Sequence, residues 1–288
     1  MNRLVSITKP LMWSTTLLLA AIVAGCGGGD GVPVAVTTPS TVVAAGSTCT
    51  GASCVNLGTA GNYAILANTG IHTDANASVI TGNIATGPGV TSTAITGFML
   101  NLPAASPFAT SVQVSEKVYA FDYAPPTPTE VNTASLDMGA AYTAAAAKAT
   151  AGGGLLFACP GTGAMSDVNN ELQGFPVGGL PPGVYTCGVD ITIPGTLTLN
   201  GNATDVWVFK TTGTLGQAAA TNVVLAGTAL AKNVFWQVAG AVTVGTTAQF
   251  KGIILGQTAV TFGNGSSIDG RILAQTAVTL DATTVTQP

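Results

Sequence analysis

From about residue 57 onward, apolar positions alternate with small polar ones in short runs broken by Gly and Asn. That two-residue period belongs to strands rather than helices. The pattern is most regular near the C-terminus. Ala241-Val242-Thr243-Val244-Gly245, Ala259-Val260-Thr261-Phe262-Gly263 and Ala277-Val278-Thr279-Leu280-Asp281 align at a spacing of 18 residues. Phe250 aligns with Ile268, Gly252 with Gly270, Ile254 with Ile272, Leu255 with Leu273 and Gln257 with Gln275, and Gly227 extends the Gly245/Gly263 column one turn back. Such a repeat predicts coils of a β-solenoid, each with three short strands and three corners. Val242, Val244, Val260, Phe262, Val278 and Leu280 should point inward. Ala241, Thr243, Ala259, Thr261, Ala277 and Thr279 should point outward.

Upstream, Thr196–Gly201, Asp205–Phe209 and Asn233–Val238 read as less regular strands. One stretch has a helical period instead. Thr127-Pro128-Thr129-Glu130 reads as a capping box, and Val131, Ala134, Met138, Tyr142 and Ala145 follow at spacings of three and four. The helix should run from about 127 to 151, stop at Gly152-Gly153-Gly154, and lay its apolar stripe along the β body.

The N-terminus reads as an export signal. Arg3 and Lys9 precede the apolar run 17–23, and Val23-Ala24-Gly25-Cys26 resembles a bacterial lipobox. Residues 1–25 are then a lipoprotein signal peptide, and Cys26 is the lipid attachment site. Residues 26–56 form a flexible Gly/Ser/Thr/Pro tether, and 57–288 form the folded domain. Cleavage removes Arg3 and Lys9, leaving six of the eight basic residues against twelve acidic ones. This balance argues against nucleic acid or an anionic membrane surface as a partner; the membrane is reached only through the lipid. Four cysteines remain. An even number in an exported chain favours disulfides over metal ligation, here Cys49–Cys54 and Cys159–Cys187, although four cysteines allow three pairings.

Charged residues make up only 7% of the chain, far below the ~25% usual for soluble domains, and little in the sequence suggests catalysis. The single histidine, His72, lies near Asp74 on what reads as a polar, solvated loop. No HExxH, GxSxG or phosphate-loop pattern occurs. Glycoside cleavage usually needs two facing carboxylates. Asp269 and Asp281 fall in different columns of the repeat, and Asp190 and Asp205 read as turn residues. No catalytic residue, metal or cofactor is expected. The repeat offers an uncharged array instead: a file of Thr243, Thr261 and Thr279 beside a file of Ala241, Ala259 and Ala277. Outward neighbours would lie about 6.6 Å apart along a strand and about 4.8 Å apart between coils. Thr pairs one hydroxyl with one methyl on a stiff side chain. A rigid surface of that kind can hold water in an ordered pattern.

The sequence resembles the microbial ice-binding proteins, built as a discontinuous β-solenoid with a long helix alongside. The resemblance is carried by residues 57–67, 80–84, 94–98, 123–128, 180–185, 205–209, 233–238 and 273–280. It implies a mostly β, right-handed, irregular solenoid of triangular cross-section whose N-terminal coils pack against C-terminal ones. It also implies ice binding on one side, often marked by a Thr-Ala/Gly-x-Thr/Asn pattern. Here that pattern occurs as Thr258-Ala259-Val260-Thr261, Thr276-Ala277-Val278-Thr279 and Thr93-Ala94-Ile95-Thr96. The Thr243 coil departs from it, with Gly240 in the first place. The expected site is therefore Thr93, Thr96, Ala241, Thr243, Thr258, Ala259, Thr261, Thr276, Ala277 and Thr279.

These readings together predict a monomeric, exported cell-surface or outer-membrane lipoprotein, or a form released from the cell, that binds the surface of ice crystals. A surface adhesin or structural module binding glycan or another cell is the alternative. Trp207 and Trp236, the two tryptophans outside the signal peptide, lie in strands and read as core.

Overall fold

The computed structural model describes residues 54–74, 77–148, 155–158 (backbone only), 163–165 and 178–288. Cys26, Cys49 and Cys159 therefore lie outside the described residues, as do the export signal and nearly all of the expected tether. Among the described residues the chain is mostly β with one α-helix, and its strands pair almost entirely in parallel in a solenoid-like stack.

Two sheets dominate. The larger carries Gly183–Cys187, Trp207–Thr211, Val234–Val238, Gln249–Gly256 and Ser267–Ala274 side by side. Tyr63–Ala67 then pairs with the Ser267–Ala274 strand, and Asn83–Thr86 with Tyr63–Ala67. The first coil of the chain thus stacks on the last. The buried Arg271 strengthens this junction: its Nε donates to the Gly61 carbonyl at 3.0 Å and its guanidinium to the Pro288 carbonyl at 3.4 Å.

The second sheet runs Ile191–Ile193, Leu215–Gln217, Val242–Val244, Val260–Phe262, Ala277–Leu280, Gly70–Thr73 and Ile95–Thr96. Its inward column is Ile191, Leu215, Val242, Val260, Val278, Ile71 and Ile95, in continuous register and buried throughout. The expected inward phase of Val242, Val244, Val260, Phe262, Val278 and Leu280 holds at every position, each at most 1% exposed. The 18-residue alignment also holds for Phe250–Ile268, Gly252–Gly270, Ile254–Ile272 and Leu255–Leu273. Gly227 does not join the Gly245/Gly263 column. It pairs with Gly201 in a separate two-stranded sheet, because the coil from Leu215 to Val242 is 27 residues long rather than 18.

The interior is filled by an aromatic ladder. Tyr185 and Phe209 stack at 4.8 Å between centroids, Phe209 and Trp236 at 4.1 Å, and Trp236 meets Phe250 at 5.1 Å. Both strand tryptophans are fully buried, as their sequence context suggested. Each indole N–H has an acceptor, the Leu180 carbonyl for Trp207 and the Lys251 carbonyl for Trp236. Burial pushes the Tyr185 hydroxyl well above the ordinary phenol range, and that hydroxyl donates to the Pro181 carbonyl.

The helix spans Thr127–Ala146. It ends earlier than 151, with Ala147 still in the right-handed region and the Lys210 ammonium donating to the carbonyls of Ala146 and Lys148. A cation at that end suits the helix dipole. Thr127 does not cap the helix: Pro126 takes the cap position and the Thr127 hydroxyl donates to the Pro107 carbonyl. The stripe Val131, Ala134, Met138, Ala141 and Ala145 is buried against Leu66, Val184, Val208, Phe235, Ile253, Leu255 and Leu273 of the larger sheet. Polar contacts fix the helix further. The Asp137 carboxylate accepts from the Thr59 N–H and hydroxyl at 2.7 Å each, and the Ser135 hydroxyl donates to Asn68 Oδ1 at 2.8 Å. Gly58 has φ +53, and a Cβ there would lie 2.4 Å from the Asp137 carboxylate, so this close approach requires glycine.

Candidate functional site

The helix covers the larger sheet and leaves the second sheet open. Parallel pairing brings one outward residue from each strand into a single file: Thr192, Gly216, Thr243, Thr261, Thr279, His72 and Thr96. Thr192, Thr243, Thr261, His72 and Thr96 are exposed, and Thr279 is partly so. The fold therefore joins Thr243, Thr261 and Thr279 from the regular coils to Thr96 from the N-terminal part of the chain. Beside this file, Ala241 and Ala259 are exposed, and Ala277 is partly exposed and paired with Gly70.

Thr258 and Thr276 are placed differently. They share the phase of Val260 and Val278 and lie at the corner, partly buried, with hydroxyl oxygens that contact neither solvent nor a hydrogen-bond partner. Their hydroxyls cannot reach a docked surface; in these two Thr-Ala-x-Thr stretches only the second and fourth positions, Ala259 and Thr261 or Ala277 and Thr279, present outward groups. Thr93 is exposed, but it sits in the Ser92–Ala94 turn, its hydroxyl 2.7 Å from that of Thr91.

Three members of the file were not legible in the repeat: Gly216, Thr192 and His72. Thr192 lies between inward Ile191 and Ile193, but its coil is 24 residues from the next, so no 18-residue alignment reveals it. His72 is the most consequential case. It is not on a loop: it lies in the Gly70–Thr73 strand, paired with Thr279 on one side and Thr96 on the other. The apolar residue before it, Ile71, was the available signal. His72 Nδ1 is 2.7 Å from Thr96 Oγ1, and Nε2 is 2.9 Å from Asp74 Oδ1.

Charge is confined to the margins of this surface. Asp190 accepts from the Thr214 N–H at 2.7 Å, and that backbone bond, with a smaller side-chain contribution, holds its carboxyl below the ordinary range. Asp281 accepts from the Asn264 side-chain amide at 3.0 Å. The Lys251–Asp269 pair, 3.5 Å apart, lies on strand segments outside this sheet. Cys54 and Cys187 are each disulfide-bonded.

Comparison with known proteins places this architecture. The model of the ice-binding-like family matches residues 65–286. Ice-binding protein K1-A of Typhula ishikariensis is 44% identical over 250 residues, covering 86% of this chain and 88% of that protein. An ice-binding protein of a Colwellia species is 39% identical over 212 residues, covering 71% and 72%. Among solved structures, an antifreeze ice-binding protein from an Arctic yeast superposes with a TM-score of 0.74 at 37% identity, covering 82% of this chain and 95% of that one. With the family model spanning most of the chain and relatives at about 40% identity matching along most of their own length, the chain belongs to the ice-binding-like family.

Proposed function

We propose that the chain is an ice-binding protein that adsorbs to ice through the open sheet, with Thr243, Thr261, Thr279 and Thr96 as its threonine contacts, Thr192 as a further one, and Ala241, Ala259 and Ala277 filling the rows between. The observation that carries this reading is the uncovered, in-register threonine file in a member of this family. Strand pairing sets the file spacing at about 4.8 Å. The inward valines and isoleucines hold the strands rigid, so docking to a crystal costs little conformational entropy. Methyls disfavour disordered hydration while hydroxyls and backbone groups anchor water, and such anchored water can match a crystal plane. The result is restrained ice growth or recrystallisation, or attachment of the cell to ice.

The test is a pair of bulky substitutions. Thr261→Tyr, at the centre of the file, should abolish faceting of a single ice crystal in a nanolitre osmometer, with a stability change under ~1 kcal/mol. Thr284→Tyr lies on a strand outside this sheet, paired with Ser267 and Val79, and should leave faceting intact. The opposite pattern would move the ice face to another side.

The same reading includes a right-handed coil of triangular section, a monomer, and an exported lipoprotein held at Cys26. Cys26→Ser should release the protein from the membrane fraction; unchanged association would refute the anchor. The lipobox and the apolar run before it support this part. Cys49 and Cys159 are the proposed partners of Cys54 and Cys187, a pairing that rests on their spacing in the sequence. A bridge across the 159–187 loop would contribute on the order of 3 kcal/mol.

A further inference from the structure

We propose that His72 belongs to the ice-contacting surface, joining Thr96 to the threonine file, and that its protonation weakens ice binding. The inference rests on the open sheet being the ice face. His72 occupies the outward position between Thr279 and Thr96, where every other member of the file is Thr or Gly. Both ring nitrogens are engaged within the surface, Nδ1 with Thr96 of the next coil and Nε2 with Asp74 two residues along the chain, just past the end of its own strand. The ring is thus tied to its neighbours on both sides.

The proton arrangement follows from the partners. A carboxylate only accepts, so Nε2 carries the hydrogen and donates to Asp74 Oδ1. In the neutral ring Nδ1 is then an acceptor and receives the Thr96 hydroxyl hydrogen. When a proton from solvent adds to Nδ1, the ring must donate there. Thr96 Oγ1 becomes the acceptor, and its own hydrogen turns away from the ring. The hydrogen-bond polarity of Thr96 toward overlying water reverses, and a cation appears within an otherwise uncharged file.

The ionisable groups around His72 are few. Asp74 is its direct partner. Asp281 ends the neighbouring coil beside it, since the Asp74 N–H donates to the Leu280 carbonyl. Asp122 lies on the other side, accepting from the N–H and hydroxyl of Ser92. The strand partners Thr279 and Thr96 are uncharged. Asp74 can pair with the imidazolium, but His72 and Asp74 remain about half exposed. Both ions then hold water in their own geometry rather than in that of ice.

The experiment uses the fact that His72 is the chain's single histidine, and that imidazoles take up a proton between about pH 8 and pH 5. Thermal hysteresis of the wild type and of His72→Gln is measured across that range, with the His72 ring signal followed by NMR and folding checked by circular dichroism at each pH. The expected result is a loss of hysteresis in the folded wild type with the same midpoint as the ring titration, and a flat profile for His72→Gln. A flat wild-type profile across a completed ring titration overturns the proposal, as does a step that persists in His72→Gln. Thr261→Tyr at pH 8 separates the two readings. If it abolishes activity while the wild-type profile is flat, only the role of His72 fails. If it leaves activity intact, the ice-face assignment fails and this inference fails with it.

Discussion

The two large sheets share one construction and differ in what lies outside it. The second is wholly parallel and the larger parallel apart from the Ala109–Ser111 pairing with Val114–Tyr119, and both turn an apolar column inward, Ile254 and Ile272 in one and Val260 and Val278 in the other. On the larger sheet several outward positions are apolar as well: Phe235, Ile253, Leu255 and Leu273, all buried in the cluster that includes the helix. On the second they are Thr243, Thr261 and Thr279, left uncovered. The inward columns specify the coil. The outward residues decide whether a side of the coil is closed by another element or remains a working surface.

The sharpest way to break this contrast is to remove an outward residue on the covered side. Phe235→Ala should destabilise the fold by about 3–5 kcal/mol, read by thermal or denaturant unfolding, because it leaves a cavity between sheet and helix. A loss under ~1 kcal/mol would show that the helix is a loose cover rather than part of the core. A smaller effect of opposite sign is expected at Gly216, the gap in the threonine file. A Cβ there would meet nothing within 4 Å. Gly216→Thr should raise stability by about 0.4–1 kcal/mol through lost unfolded-chain entropy, and should raise thermal hysteresis by extending the file toward Thr192. Unchanged hysteresis with a stable fold would place the edge of the ice face at Thr243. The smallest stability effect belongs to Thr261→Val, which keeps the shape and removes the hydroxyl. It should change stability by no more than ~0.5 kcal/mol while lowering hysteresis. Full hysteresis would assign the ice contact to the methyls alone.

Only part of this was legible in the chain. The 18-residue repeat fixed the phase of the last coils, because strict alternation leaves one choice of face once the valines go inward. The helix was readable from Val131, Ala134 and Met138, although its end was not: the Lys210 ammonium that caps it comes from a strand more than 60 residues away. The pattern Thr-Ala-x-Thr suggested two outward threonines per coil, but Thr258 and Thr276 fall in the inward phase and turn the corner.

The sequence by itself determined a small-residue, nearly uncharged β-solenoid, with alternation setting inside against outside. The tertiary structure decided which outward residues became neighbours. Thr192 and Thr243 belong to coils separated by insertions of different length, and His72 and Thr96 precede Thr243, in the first of the regular coils, by 171 and 147 residues. The pairing of Gly70–Thr73 with Ala277–Leu280 joins them. Periodicity reports spacing along the chain, whereas a surface file is made by backbone hydrogen bonds between coils, and those bonds ignore distance in sequence.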